Sequence, residues 1–211
     1  GNGLLIDTSM NNAFDNIITI SYGGVGTYFI SSNNNVLSGI ISSSNNYVAL
    51  QLESSSNNMI SNITLNAYVG EPSGYIMSAS NNNTIANGTT YSSDSLGILF
   101  DSSSNNRVSN VIGISGTSGA FALYLGANNS LNNVTAISNS TSDVPAILIR
   151  NSGGNIVANS SITSKTQNPL IVQNANNSQI YNNTFISMTQ TSTLVSLIEA
   201  SANNTFWGNN F

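Results

Sequence analysis

The sequence predicts an all-β fold, a parallel β-helix of about nine coils of about 24 residues with three short strands to a coil, forming one domain over residues 1–211. Three observations carry this: an Asn-Asn pair that returns at a near-constant interval, an apolar column in register with it, and an Asn/Gly column two residues later. The pair recurs at Asn11, Asn34, Asn57, Asn82, Asn105, Asn128, Gly154, Asn177 and Asn203, with spacings of 23, 23, 25, 23, 23, 26, 23 and 26 residues and a mean of 24.

An Asn-rich chain produces Asn pairs by chance, so the columns are the sharper test. Three residues after each start lie Phe14, Leu37, Ile60, Ile85, Val108, Leu131, Val157, Ile180 and Phe206, all apolar in a chain that is 39% hydrophobic. They form the expected core ladder. Five residues after each start lie Asn16, Gly39, Asn62, Asn87, Asn110, Asn133, Asn159, Asn182 and Gly208. Asn and Gly most readily accept φ > 0, so this column marks a corner.

Each unit opens on a β-rich run. The runs are LLID (4–7), TYFIS (27–31), YVALQLE (47–53), GYIMS (74–78), GILFD (97–101), ALYLG (122–126), AILIR (146–150), PLIVQ (169–173) and VSLIE (195–199). Alternation bounded by Asn, Ser or Gly reads as a strand. The NNxΦ segment supplies a second strand and a segment such as NITL (62–65) a third. No stretch sustains a 3.6-residue period, and Asn, Ser, Thr and Gly are poor helix formers. Three such strands with tight corners return the chain to its start one strand spacing higher, ~4.8 Å, so equivalent residues stack. Stacked Asn amides can bond from coil to coil, which accounts for eight Asn in the nine start positions.

Composition narrows the chemistry. Only 5% of residues are charged, against roughly 25% in an ordinary domain, and 38 Asn, 37 Ser and 17 Thr fill the gap. Three bases (Arg107, Arg150, Lys165) against eight acids exclude a nucleic-acid surface, which needs clustered cations. With no Cys and no His, disulfides, thiolate or imidazole metal sites and Ser-His-Asp or Cys-His catalysis are all closed. No apolar run approaches the ~20 residues of a membrane span. Scarce Lys and absent Cys point to an extracellular or cell-surface location.

The units SSSNNMISNIT (54–64) and SSSNNRVSNVI (102–112) resemble right-handed parallel β-helix repeats of the pectate-lyase-like superfamily, above all its Asn-rich surface and exported members. The resemblance covers nearly the whole chain, and right-handedness comes from it alone. It implies a fold whose enzymes cleave polyuronides. Lyase-like members combine acidic calcium ligands with an Arg base, and hydrolase members combine clustered Asp with His and Arg. Without His the hydrolase pattern is incomplete.

Five charges share the position after the main strand: Asp7, Glu53, Asp101, Arg150 and Glu199, on alternate coils, with Ser31, Ser78, Gly126 and Gln173 between them. Alternation keeps like charges ~9.6 Å apart, twice the coil rise, and reads as spacing against repulsion. The connection before the main strand carries Glu71, Asp94 and Asp143, a loop edge where a binding site is expected. Ten Asn-x-Ser/Thr sequons match the number, about ten, that composition alone produces; Asn139, outside the repeat columns, is the glycosylation candidate. No catalytic, cofactor or metal residue is expected.

Neither end shows a capping helix. Two readings of this stand side by side: the chain is an excerpt of a longer protein, or Leu4, Leu5 and Ile6 at one end and Phe206, Trp207 and Phe211 at the other stack head to tail with further copies of the chain. The expected function is a non-enzymatic structural protein of a surface layer or filament, with itself and surface glycans as partners. The alternatives are a carbohydrate-binding or adhesive module and a polysaccharide lyase.

Overall fold

In the computed structural model, residues 1–142, 144–166, 168–189 and 193–211 are described, and none of them is helical. Nine strands form the main sheet in strict chain order, from Leu4–Asp7 through Thr27–Ile30, Leu50–Glu53, Gly74–Met77, Ile98–Asp101, Phe121–Tyr124, Ile147–Arg150 and Leu170–Gln173 to Val195–Ile198. Every pairing is parallel and joins one coil to the next, as Leu4 to Thr27 and Thr27 to Leu50. This is the β-solenoid of nine coils that the repeat predicts.

The NNxΦ segments build the second sheet. Its register runs Ala13, Val36, Met59, Thr84, Arg107, Ser130, Ile156, Gln179 and Thr205, which repeats the spacing of the Asn pairs at every step. In the second to fifth coils this strand runs on into the third as one nine-residue strand, such as Met59–Ala67. Elsewhere the two are separate, as Ser130–Asn132 and Thr135–Ser138. The core column lies inside: from Leu37 to Ile180 its members are at most 1% exposed, while Phe14 and Phe206 in the end coils pack against the core partly buried.

All nine Asn/Gly corner residues have positive φ, with the Asn between 53° and 57° and the two Gly at 67° and 62°. The start column is left-handed as well, its Asn between 56° and 60°. A third left-handed column follows the main strand, at Thr8, Ser31, Ser54, Ser78, Ser102, Leu125, Asn151, Asn174 and Glu199. The SSSNN motif is thereby explained. Ser54 and Asn57 take the left-handed turns, and Ser55 and Asn58 point inward, buried at 0% and 1%.

The amide ladder expected of the first Asn in each pair belongs to the second. Asn12, Asn35, Asn58, Asn83 and Asn106 each donate from backbone N and from Nδ2 to Oδ1 of the equivalent Asn one coil on, at 2.8–3.2 Å. The remaining Nδ2 hydrogen reaches a carbonyl of an earlier coil, as Asn58 to Ser32 at 2.9 Å and Asn106 to Ser80 at 3.0 Å. The first Asn is committed to the φ > 0 turn; its successor turns inward, where an amide left unpaired would be costly. Alongside it, the Oγ of Ser32, Ser55, Ser80 and Ser103 each accept a backbone N–H from the coil before, at 2.9–3.1 Å.

Packing across the tube is complementary in volume. Phe121 lies against Gly113, where an added Cβ would stand 2.7 Å from its ring, and Gly74 makes room for Leu65 and Ile98. Ser residues that close the third strand pin the connections leading to the main sheet. Ser44 Oγ accepts from Tyr47 N at 3.0 Å and donates to Gly24 O at 2.8 Å, and Ser92 Oγ donates to Glu71 O at 3.1 Å.

Candidate functional site: the outer face of the main sheet

Period-two alternation sends two residues of each main strand outward, and stacking turns them into two parallel ladders. One ladder reads Tyr28, Gln51, Tyr75, Leu99, Ala122, Leu148, Ile171; the other reads Asp7, Ile30, Glu53, Met77, Asp101, Tyr124, Arg150, Gln173, Ile198. The alternate-coil placement of Asp7, Glu53, Asp101 and Arg150 holds. Their intervening neighbours differ from those expected: Ile30, Met77 and Tyr124 replace Ser31, Ser78 and Gly126, and Ile198 takes the rung assigned to Glu199. The run TYFIS ends its strand at Ile30, and Ser31 has already turned into the left-handed corner, so a serine cannot occupy the outward rung. Glu199 likewise has φ 58° and accepts a hydrogen bond from Gln173 Nε2.

Two of the outward acids, Glu53 and Asp101, take a phenol partner from the coil before. Tyr28 donates its phenol hydrogen to Glu53 Oε2 on the next coil, and Tyr75 repeats the diagonal to Asp101 Oδ2 at 3.2 Å. Burial, then the hydrogen bond and charge of Glu53, pushes the Tyr28 phenol up to about 12. Burial, then the charge of Asp101 and its hydrogen bond, raises Tyr75 above the ordinary phenol value, with Glu71 adding to the effect. Both phenols stay protonated donors across the neutral range. Arg150 sits with its guanidinium carbon 5.4 Å from the Tyr124 ring centroid, and its buried Nε has no hydrogen-bond partner.

Small side chains between large ones leave two recesses in this face. Ala122, 2% exposed, lies between Leu99 and Leu148 on the ladder; with the connection residues Leu96, Val144 and Pro145 they enclose a hollow of about 330 Å³, edged by Asp101, Tyr124 and Ser118. The second recess, about 200 Å³, lies where Tyr28, Gln51 and Tyr47 meet Asn2 and the connection residues Gly23, Gly24 and Val25. Gln51 donates Nε2 to Glu53 and to the Met77 sulfur at 3.4 Å each, while its buried Oε1 has no partner. Apolar rings and floors, flanked by phenol donors and carboxylate acceptors, thus follow one line from the second coil to the seventh, about 24 Å at the coil rise.

Of the loop-edge acids, Glu71 reaches this face through its effect on Tyr75. Asp94 is exposed in the connection before Ile98–Asp101, and Asp143 lies outside the described residues. Asn139 is exposed just beyond Thr135–Ser138. At the ends, Ile6 is buried in the core at 3% exposure, and Leu4 and Phe206 pack against it. Leu5 is 51% exposed on the outer face. Trp207 stacks on Tyr181 with centroids 4.4 Å apart on the outer face of the second sheet, and Phe211 stacks on Phe185 at 5.4 Å.

Fold and face together define an all-parallel β-solenoid with a recessed outer groove. The chain belongs to the family described as periplasmic copper-binding protein (NosD), whose model matches residues 60–196, about two thirds of its length. That family and the structural likenesses accord with an exported protein, and no helix among the described residues is long and apolar enough to cross a membrane. No curated protein matches the sequence. Among solved structures, the periplasmic alginate epimerase AlgG superposes with a TM-score of 0.75 at 13% identity, over 88% of this chain and 47% of that one. The A-module of the Azotobacter vinelandii mannuronan C-5 epimerase AlgE4 superposes at 0.60 with 10% identity, over 98% and 78%. The catalytic domain of a GH87 alpha-1,3-glucanase superposes at 0.52 with 15% identity, over 100% and 50%. The chain thus spans about half the length of two of these three structures.

These likenesses establish the fold, and they overturn the expectation of a non-enzymatic chain. Epimerases and a glucanase are built on the same solenoid, so the absence of His and Cys is no ground for reading this one as inert.

The family name implies copper, and the donors available here do not suit it. Copper sites draw on imidazole, thiolate and thioether. The chain has no His or Cys, and its four Met fall at Met10, Met59, Met77 and Met188, in the first, third, fourth and eighth coils. Met10 and Met188 are 59% and 63% exposed, Met59 faces out from the second sheet, and Met77 from the main sheet. Among the described residues no three acids gather as ligands either.

Proposed function

We propose that the chain is a saccharide-engaging β-helix domain of an exported protein, with an extended polysaccharide lying along the outer face of the main sheet. The observation that carries this is the outward line from Tyr28 to Leu148, on which two Tyr–carboxylate pairs on adjacent coils, Tyr28–Glu53 and Tyr75–Asp101, precede the apolar hollow at Ala122. Aromatic and aliphatic side chains can take the apolar faces of sugar rings, while Glu53 and Asp101 accept hydrogen bonds from sugar hydroxyls through the lone pairs that Tyr28 and Tyr75 leave open. A solenoid suits such a ligand because its outward side chains stand on one line at multiples of ~4.8 Å, and the Tyr–carboxylate pair returns two coils on.

Affinity electrophoresis through gels containing different polysaccharides tests the reading. The chain should be retarded by at least one polymer, and Ala122→Leu, which fills the larger recess, should release it while leaving the thermal unfolding profile in place. The same polymers, recovered after incubation, show by new chain ends or altered sugar configuration whether the bound chain is turned over. Equal migration of wild type and Ala122→Leu in every retarding gel would remove the main face as the site.

A further inference from the structure

The charge distribution along the groove names the class of saccharide, an inference that rests on the reading of the main face just given. Asp7, Glu53 and Asp101 stand on one outward ladder, and Glu71 lies close enough to Tyr75 to raise its phenol. Against these the face sets one cation, Arg150, two coils beyond Asp101 and beside the Tyr124 ring. From Tyr28 to Asp101 the groove therefore offers phenols, amides and carboxylates but no positive group.

We propose that the polysaccharide is a neutral hexose polymer rather than a polyuronate. Sugar hydroxyls can donate to the lone pairs that Glu53 and Asp101 keep open and to the phenol oxygens of Tyr28 and Tyr75, whose own hydrogens are committed to those carboxylates. A polyuronate would bring a carboxylate on every ring to a ladder that already carries one on every second coil. In a partly buried groove that repulsion is screened less than at an open surface.

Substitution of Asp101 gives opposite signs for the two ligand classes. A neutral polymer loses a charged acceptor in Asp101→Asn and should bind roughly tenfold more weakly, the scale of one hydrogen bond to a charged group. A polyuronate is relieved of repulsion in the same variant and should bind more tightly. Tyr75→Phe, which removes the phenol oxygen and its hydrogen bond to Asp101 and keeps the ring, should also weaken a neutral ligand. Binding would be measured by calorimetry against a soluble glucan, a mannan and alginate, each at low and high salt, with alginate also in calcium. The expected result is retention of a neutral polymer with little salt dependence, weakened by both variants. Tighter binding of alginate, strengthened by Asp101→Asn, would overturn the neutral-ligand proposal and leave the saccharide face standing. Absence of binding by every polymer would overturn both.

Discussion

Tyr28 and Glu53 show how a single rung acquires its chemistry. A tyrosine in one coil and a carboxylate in the next meet only because the outward positions of adjacent strands lie one coil rise apart on the same face. Burial, together with the pairing to Glu53, holds the Tyr28 proton in the folded chain, and this has a definite consequence for alkaline stability. An unfolded tyrosine titrates near pH 10, whereas the folded phenol is pushed up to about 12. The stabilisation is therefore complete below about pH 10 and is lost as pH rises through about 12. Absorbance titration at alkaline pH should resolve late-ionising phenols, Tyr28 and Tyr75 among them, and Tyr28→Phe should remove one. The variant should also lose less stability than wild type between pH 10 and 12; parallel decline of the two would refute the assignment.

At the level of the element, the inward Asn ladder is a continuous rail with one defective rung. It runs from Asn12 to Asn155 at one amide per coil, and then Ser178 takes the place of Asn. Ser178 is buried at 0% exposure and its Oγ has no partner, although its backbone N still donates to Asn204 Oδ1 at 2.9 Å. Asn155 compensates locally by donating Nδ2 to Ser152 Oγ at 2.7 Å. Ser178→Asn should complete the rail and gain about 1 kcal/mol, the net worth of a typical buried hydrogen bond. For a chain of this size that corresponds to a rise of about 2–4 °C in the unfolding midpoint. A fall in the midpoint would mean that the eighth coil lacks the room the other coils give their Asn.

For the molecule as a whole, uniform coils make a rigid rod, and the variation lies in outward side chains and in the connections before the main sheet. Ser44 and Ser92 tie those connections to the third strands, so Tyr47 and Glu71 are held against the groove instead of hanging free of it. The donor inventory is also a property of the whole chain. With four Met in four different coils and no His or Cys, the purified chain should take up no stoichiometric copper in either oxidation state. Metal analysis after equilibration and desalting checks this, and one tightly held copper per chain would contradict it.

The period, the core column, the corner column and the closed chemistries are all written in the order and types of the residues. A coil that stacks on itself imposes the same demand at each repeat, and that demand is written nine times. The columns at Leu37 and Asn62 were legible for this reason. Others were hidden in plain residue types: the left-handed turns at Ser54, Leu125 and Glu199 are imposed by the stack above and below them, and nothing in those side chains announces φ > 0. The candidate site is partly legible, since Asp7, Glu53, Asp101 and Arg150 recur on alternate coils of the sequence repeat. Their partners are not, because pairing Tyr28 with Glu53 or Tyr75 with Asp101 requires the strand register to within one residue, and a slip of one turns a side chain to the opposite face. Only the tertiary structure supplied that register, and with it the recesses at Gln51 and Ala122, which exist as gaps between neighbours from different coils.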